Sequence, residues 1–456
     1  MRAGLAAALV AVCFGCGGDE GGGSGGLDAG GGADAARADA GGGGLDGMLT
    51  VHTGYKLASG ELRRVMLDDG KVFNVEPDFH GTAVFEDPSL RGPQDVTVVY
   101  ASAPSWVQVV TILQVDQPEI WVNPVRPSSV DEWSISGTVT GGSDGEGILV
   151  RAVGPDLYGS ELADEVTGEF FLRVKGPAPG TVDVYAHEGG TDGAVAVGAA
   201  LDVPLGDQVQ NRDIALDVPL DQSVEVSLVG EVPFGGGQEA TLIFHGHDNP
   251  VFYSEVQTTE FPVSVPSPSM DPPLDRLGRM VLVHTGSAAP GSREVQWSFV
   301  DVPAGVSSVE LEVPAPPTWT SPPVGALDEQ ATASASGLEM TWSNPDPKAK
   351  IMSLHLIATD PVPEEGILEW TVYAPASHPG FTFFPLPEDA GPLRTFPPGP
   401  YQVTFHQLAF TALDSPTDIW TSPRSFEPAL GARRPTYMHS GAEHHDLRLR
   451  GWITLQ

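Results

Sequence analysis

Two histidines one residue apart, His245 and His247, are the chain's best candidates for metal chemistry. On a β-strand such residues point to the same face, so their imidazoles can bind one metal ion. A zinc or similar divalent site needs a third and a fourth ligand. Glu443–Asp446, near the C-terminus, could provide them, but nothing in the sequence brings the two segments together. The alternative is that both histidines are polar residues at a strand end, followed by a turn at Asp248–Pro250.

A second pattern, G-x-S-x-G at Gly141–Gly145, matches the nucleophile elbow of hydrolases. That elbow requires a strand before the serine and a helix after it. Here a β pattern resumes at Ile148, and the same motif also matches within the Gly-rich stretch at Gly22–Gly26. The sequence therefore predicts a polar turn at this position.

Dispersed acidic residues between positions 144 and 169 are possible oxygen ligands for calcium. They are Asp144, Glu146, Asp156, Glu161, Asp164, Glu165 and Glu169. Their spacing is not that of an EF-hand loop, and carboxylates in loops usually form a solvated surface. No phosphate-binding loop or dinucleotide fingerprint is present, so the sequence predicts neither a cofactor nor a metal.

The N-terminus carries a different kind of chemistry. An apolar run over residues 3–15 follows Arg2 and ends at Gly15, directly before Cys16. About 13 apolar residues are too few to cross a bilayer core, which needs about 20, so the run is interpreted as a secretory signal peptide.

The cysteine behind this run resembles the lipobox of bacterial lipoproteins, in which the cysteine becomes the lipidated first residue of the mature protein. The resemblance implies lipidation of Cys16 and a membrane partner reached through that lipid. Cys13, preceded by Val12, is the rival position, and an ordinary cleaved signal peptide is the third interpretation.

Composition restricts the classes of function. The chain has 60 acidic and 23 basic residues and a net charge of −37, which would repel a phosphate backbone, so nucleic-acid binding is not expected. Both cysteines lie in or beside the signal, so processing at Cys16 would leave no pair for an internal disulfide. Stability must then come from apolar burial.

Composition also divides the chain. Glycine makes up almost half of residues 17–47, and such a tract cannot bury enough apolar surface to order itself. The predicted order is a signal peptide (1–15), a disordered Gly-rich linker (16–47) and four β-sandwiches (48–125, 126–216, 217–325 and 326–456).

Alternating apolar and polar residues after Met48 predict an all-β fold. Val96, Val98 and Tyr100 alternate with Thr97 and Val99, and the same period of two recurs in several later segments. They are 182–187, 223–228, 309–313 and 338–343. With 55 glycines and 42 prolines punctuating these runs, the pattern is typical of a string of antiparallel sandwiches.

One segment supports a family resemblance. Gly137-Thr-Val139, Gly168-Glu-Phe170 and Gly180-Thr-Val182-Asp-Val184 follow each other between residues 135 and 186. This succession resembles the carboxypeptidase regulatory-like family, which has a seven-stranded transthyretin-like sandwich. The resemblance implies such a sandwich over 131–216 and no catalytic residues. A fainter match covers 49–100, where Gly81–Phe85 corresponds to the Gly168 strand.

Two further expectations concern these sandwiches. Gly168 and Gly81 should occupy turn positions with positive φ. The core of residues 131–216 should contain the apolar members of its alternating pairs, namely Val139, Val150, Phe170, Leu172, Val182 and Val184. The C-terminal unit, with strands at 338–345 and 401–405, resembles fibronectin type III (immunoglobulin-like) domains.

These features together predict a non-enzymatic lipoprotein anchored in the cell envelope. It would bind, adhere to or support an unknown protein or polysaccharide partner, from the outer membrane or another envelope surface. The alternative is a secreted or anchored metal-dependent hydrolase that uses His245 and His247.

Overall fold

The computed structural model describes most of the chain after residue 44. The described residues are 45–53, 62–67, 73–75, 81–103, 106–122, 131–142, 147–155, 157–176, 178–190, 193–230, 238–247, 249–286, 295–313, 315, 317–324, 330–344, 346–359, 366–410, 420 and 443–456. Cys16, the signal peptide and residues 16–44 of the predicted linker lie outside them. Residues 43–456 belong to one compact unit.

The described chain is built almost entirely of strands, so the prediction of an all-β fold of sandwiches is confirmed. One short 3₁₀ segment, Glu388–Arg394, interrupts the strands and is kinked at Gly391. Among the described residues, no helix has the length and apolar character needed to span a membrane.

The first sandwich contains seven strands among the residues that the structure describes. They are β1 (Met48–His52), β2 (Leu62–Leu67), β3 (Phe73–Val75), β4 (Thr82–Glu86), β5 (Gln94–Ala103), β6 (Trp106–Val115) and β7 (Glu119–Trp121). Strands β4, β1 and β7 form one sheet, and β3, β2, β5 and β6 are paired in that order in the other. Leu49 and Val51 share a core with Val96 and Val98, as the alternation predicts. Leu45, three residues before β1, is only 1% exposed in the same core.

Nine strands make up the described part of the second sandwich. They are β8 (Asp131–Thr140), β9 (Ile148–Gly154), β10 (Leu157–Leu162), β11 (Glu169–Gly176), β12 (Thr181–Gly190), β13 (Gly193–Pro204), β14 (Gln210–Asn211), β15 (Ile214–Ala215) and β16 (Val218–Pro219). Strand β8 pairs with β11, β14 and β15. Strands β10, β9, β12, β13 and β16 are paired in that order.

The six core residues predicted for the second sandwich are all confirmed. Val139, Phe170 and Leu172 come from the sheet of β8 and β11, and Val150, Val182 and Val184 come from the sheet of β9 and β12. All six are buried in a single cluster. Apolar residues from two sheets therefore meet face to face, which defines a sandwich.

Glycine is required at the two predicted turns. Gly168 has φ +70° and Gly81 has φ +79°, so both predictions of a positive φ are confirmed. At Gly168 a Cβ atom would lie 2.2 Å from the carbonyl oxygen of Val139. The turn before β11 therefore excludes any side chain at this position.

The third sandwich also has seven strands in the described ranges between 222 and 313. They are β17 (Gln222–Val229), β18 (Gln238–Gly246), β19 (Asn249–Thr258), β20 (Val263–Ser267), β21 (Gly278–Gly286), β22 (Val295–Asp301) and β23 (Ser308–Glu312). Strands β20, β17 and β23 form one sheet, and β19, β18, β21 and β22 are paired in the other. Val224 and Val226 of the first sheet pack with Leu242 and Phe244 of the second.

The fourth sandwich completes the chain. Its strands are β24 (Thr318–Ser321), β25 (Ala331–Ala333), β26 (Glu339–Ser343), β27 (Ala349–Ala358), β28 (Ile367–Pro375), β29 (Gly380–Thr382), β30 (Gly399–Phe410) and β31 (Glu443–Leu455). Strands β24, β26 and β29 form one sheet, and β25, β31, β30, β27 and β28 are paired in the other. Met340 and Trp342 face a core that includes Trp370 and Phe405.

Strand pairing continues from one sandwich into the next. Strand β6 of the first pairs in parallel with β28 of the fourth, and β22 of the third pairs with β31 of the fourth. Strand β13 of the second meets β19 of the third at Gly193 and Ser254. The larger sheets of the first, third and fourth sandwiches therefore form one hydrogen-bonded series.

Candidate functional site

His245 and His247 lie where strand β18 ends, beside the second sandwich. The pairing of β18 with β19 shifts by one residue between Phe244 and His245. His245 is buried, and its ring covers Gly278, where a Cβ atom would lie 2.3 Å from the Cε1 atom. His247 is exposed and has φ +47°. The strand's alternation does not extend to His247.

The two histidines consequently line different cavities. The first, the His245 cavity, has a volume of about 310 Å³ and is lined by His245, Met270, Asp275, Leu277, Gly278, Arg279, Asp301, Val302, Pro303 and Ala304. The second, the Arg276 cleft, has a volume of about 560 Å³ and is lined by Pro155, Leu157, Ala178, Pro179, Gly180, Thr181, Asp183, Asp202, His247 and Arg276. Both flank the loop between β20 and β21.

The Arg276 cleft is organised by a charged clamp between the second and third sandwiches. Arg276 Nη1 and Nη2 each donate to a different carboxylate oxygen of Asp202, both at 2.8 Å. Arg276 Nη1 also donates to Asp183 Oδ1 at 3.1 Å, and the backbone amide of Asp202 donates to the same oxygen at 2.9 Å. The hydrogen bond from Arg276 lowers the pKa of Asp202, and the carboxylates raise the pKa of Arg276. The clamp thus favours the charged forms of Asp202 and Arg276.

A second contact between these sandwiches buries another arginine. Arg151 of β9 donates from Nη1 to the carbonyl of Val251 at 2.7 Å, and burial lowers the pKa of Arg151. Next to it, burial and the Arg151 charge lower the pKa of His187 to about 3. His187 is therefore neutral at ordinary pH, because its charged form would be desolvated beside a cation.

Arg279 lines the His245 cavity and is 8% exposed. Its Nη2 atom donates to the carbonyls of Pro303 and Val306, at 2.9 and 3.1 Å. Burial lowers the pKa of Arg279. No carboxylate of the described residues lies within ion-pair distance of it, whereas Arg276 has two.

The metal ligands suggested by the sequence are not brought together. Strands β18, β21, β22 and β31 are successive neighbours, so three strand spacings, about 14 Å across the sheet, separate His245 from the backbone of His444–Asp446. The two segments are also offset along the strands, because His245 pairs with Gly278, whereas His444 pairs with Phe299. Within the described part of the chain, no group of three or more histidine, cysteine, aspartate or glutamate residues could hold a metal ion.

Among the acidic residues between positions 144 and 169, Asp164 stabilises a turn. Asp164 Oδ1 accepts hydrogen bonds from the amides of Val166 and Thr167, at 3.0 and 2.8 Å, and from the Thr167 hydroxyl at 3.0 Å. These bonds lower the pKa of Asp164 and fix the turn between β10 and β11. Asp144, Glu146 and Asp156 lie outside the described residues.

The G-x-S-x-G motif lies between strands β8 and β9, of which β9 begins at Ile148. The helix that a nucleophile elbow requires after the serine is replaced by a strand. Ser143 itself lies outside the described residues.

Sequence reasoning missed a buried hydrogen-bonded histidine–glutamate pair in the fourth sandwich. His355 Nε2 and Glu369 Oε1 are 3.0 Å apart on neighbouring strands, and both side chains are largely buried. Glu369, Thr371 and Tyr373 alternate with Leu368, Trp370 and Val372, which is the pattern of a strand with one solvated face. Both faces of β28 are buried, so the alternation gave no signal for this pair.

Comparisons with known proteins give no family. No protein-family model matches the chain, and no curated protein matches it. Among solved structures, the FN1–FN3 domains of chicken CNTN1 align over 69% of this chain and 88% of theirs, with 9% identity and a TM-score of 0.14. The four N-terminal Ig domains of Dscam1 isoform 8.4 align over 89% and 96%, with 9% identity and a TM-score of 0.15. The Bacillus anthracis TIE protein aligns over 79% and 62%, with 8% identity and a TM-score of 0.13.

Proposed function

We propose that the chain is a lipid-anchored protein of the bacterial cell envelope, and that its β body acts as a non-enzymatic binding or scaffolding platform. The anchor in this proposal is Cys16, with residues 17–42 as the tether. The platform is the unit formed by residues 43–456.

The proposed platform role is supported by the way in which neighbouring sandwiches are joined. Pairing of β6 with β28 and of β22 with β31 makes neighbouring sandwiches share a hydrogen-bonded sheet. Between the second and third sandwiches, Val153 and Tyr185 are buried against Phe244 and Phe252 in one core. Shared sheets and cores oppose relative movement, which suits a body that presents fixed surfaces to a partner.

The charged residues with the best-defined geometry support the same role. Arg276, Asp183 and Asp202 tie two sandwiches together, and Asp164 fixes a turn. The hydrolase alternative is not favoured, because His245 and His247 line separate cavities.

Substitution of the anchoring cysteine tests the proposal. Each buried acyl CH₂ contributes about 0.8 kcal/mol to membrane partitioning, so two or three chains hold a protein firmly. We expect Cys16→Ser to move the protein from the membrane pellet to the soluble fraction, measured by fractionation and immunoblotting.

Cys13→Ser is the matched control and should leave the protein in the membrane. Release by Cys13→Ser instead would transfer the anchor to that residue. Retention of both variants, and of the double variant, would contradict lipid anchoring altogether.

A further inference from the structure

We propose that the His245 cavity binds a small zwitterion of the α-amino-acid class, with Arg279 holding its carboxylate and Asp275 its ammonium group. This inference rests on the proposed binding function and specifies a ligand for it.

Arg279 supplies the first argument. Arg279 as a residue is 8% exposed, its Nη2 atom donates to two backbone carbonyls, and no carboxylate of the described residues lies within ion-pair distance of it. A partly desolvated cation without a counter-charge in contact is unfavourable. The lack of a described carboxylate partner for Arg279 is also unusual, because the chain has 60 acidic and only 23 basic residues. A ligand carboxylate would provide that counter-charge and can accept two N–H bonds from a guanidinium.

The opposite charge on the rim supplies the second argument. Asp275 is exposed and lines the same cavity, next to Arg276 in the loop before β21, and the half-buried Asp301 is a second carboxylate in the lining. Cationic and anionic groups around one small space favour a ligand that carries both charges over a simple anion, which the carboxylate would repel. They also favour it over a simple cation, which Arg279 would repel.

The size and apolar lining of the cavity supply the third argument. A volume of about 310 Å³ lies at the lower end of the range for small-ligand sites, about 300–1,000 Å³. Met270, Leu277, Val302 and Pro303 line it with apolar surface, so the aliphatic side chain of the amino acid, which leaves the carbon that bears both charged groups, would be buried.

Three matched probes test the assignment by calorimetric titration of the full chain in detergent. L-leucine carries both charges, 4-methylpentanoate lacks the ammonium group, and 3-methylbutylamine lacks the carboxylate. We expect leucine to bind at least about tenfold more tightly than either fragment, because each fragment leaves one charged group without its partner.

Two variants test which residue binds the carboxylate of the ligand and which binds its ammonium group. Arg279→Met should weaken leucine and 4-methylpentanoate at least about tenfold and should not weaken 3-methylbutylamine, which loses a like charge. Asp275→Asn should weaken leucine and 3-methylbutylamine and should not weaken 4-methylpentanoate, for the same reason. Asp271→Asn, in the same loop but outside the cavity lining, is the control and should bind all three probes like the parent.

Since Arg279 also holds the loop at Pro303 and Val306, circular dichroism must show that Arg279→Met is folded. If Arg279→Met is not folded, the test depends on Asp275→Asn, because Asp275 lies at the exposed rim. The proposal is overturned if leucine does not bind saturably, if the fragments bind as well as leucine, or if Asp275→Asn binds leucine like the parent. Such a result together with release of Cys16→Ser from the membrane would reject the ligand and leave the proposed function standing.

Discussion

Phe170 and Phe171 are adjacent residues on opposite faces of strand β11. Phe170 is 5% exposed in the core of the second sandwich, and Phe171 is 49% exposed on the outer face. Phe170→Ala should lower the free energy of unfolding by about 3–5 kcal/mol, because it removes a buried ring and leaves a cavity. Phe171→Ala should change it by no more than about 0.5 kcal/mol. Denaturant unfolding of the full chain measures both, and equal effects would contradict the assignment of faces.

His187 makes the stability of the body depend on pH. The ordinary pKa of His187 would be 6.5, and the fold lowers it to about 3. Between these values the unfolded chain binds a proton that the folded chain does not, so His187 stabilises the fold above pH 6.5 and this contribution falls as the pH decreases.

His187→Gln should remove that dependence. Relative to the variant, the parent should lose up to about 1.4 kcal/mol of unfolding free energy per pH unit between pH 6 and pH 4. Denaturant titrations at both pH values measure the difference. A parent and variant with parallel pH profiles would show that His187 is protonated in the folded state.

At the residue scale, the sequence predicted cores better than sites. Phe170 was predictable because Phe170, Leu172 and Val174 recur with the period of two of a strand, and Glu169, Arg173 and Lys175 on the other face are polar. The Arg276 clamp was not predictable, since Asp183, Asp202 and Arg276 come from three distant segments and meet only when two sandwiches pack. The separation of His245 from His247 depends on a one-residue shift in strand pairing, which alternation cannot indicate.

At the scale of elements, the turn before β11 is the clearest case of a backbone requirement. Gly168→Ala places a methyl group against the Val139 carbonyl at positive φ, so we expect a loss of at least about 1–3 kcal/mol. Gly206→Ala is the control, because no atom lies within 4 Å of its Cβ position. Thermal unfolding monitored by circular dichroism compares them. Equal midpoints would contradict the turn geometry.

The alternation predicted where strands occur, but it did not predict that both faces of a strand are buried. In β5, Val96 and Val98 belong to the core of the first sandwich, while Val99 belongs to that of the fourth. The sequence predicts a single buried face for such a strand. The second face is buried because β6 continues the sheet into β28, a pairing between strands far apart in the chain.

At the scale of the whole molecule, one side-chain hydrogen bond connects the first and fourth sandwiches and can be used to test how strongly they are coupled. Trp370 Nε1 donates to Thr111 Oγ1 at 2.9 Å, and both residues are buried. Thr111→Val keeps the shape of the side chain but leaves the indole N–H without its acceptor. The expected cost is about 1–3 kcal/mol.

A double-mutant cycle with Trp370→Phe separates this bond from other effects, and we expect a coupling energy of about 0.5–1.5 kcal/mol. Tryptophan fluorescence and far-ultraviolet circular dichroism should give the same midpoint for each variant. If the first sandwich unfolded independently of the fourth, Thr111→Val would shift only one of two transitions and the coupling would vanish.

The pairing of β6 with β28 also has a consequence for synthesis. Strand β6 leaves the ribosome roughly 250 residues before β28. At 5–20 residues per second, its hydrogen-bonding edge waits about 10–50 s for a partner. Unpaired edges of this kind are sites of aggregation, and apolar Val107, Val109 and Leu113 also lack their final cover during this interval. A nascent chain that stops before residue 367 therefore displays a strand edge that the complete protein keeps paired.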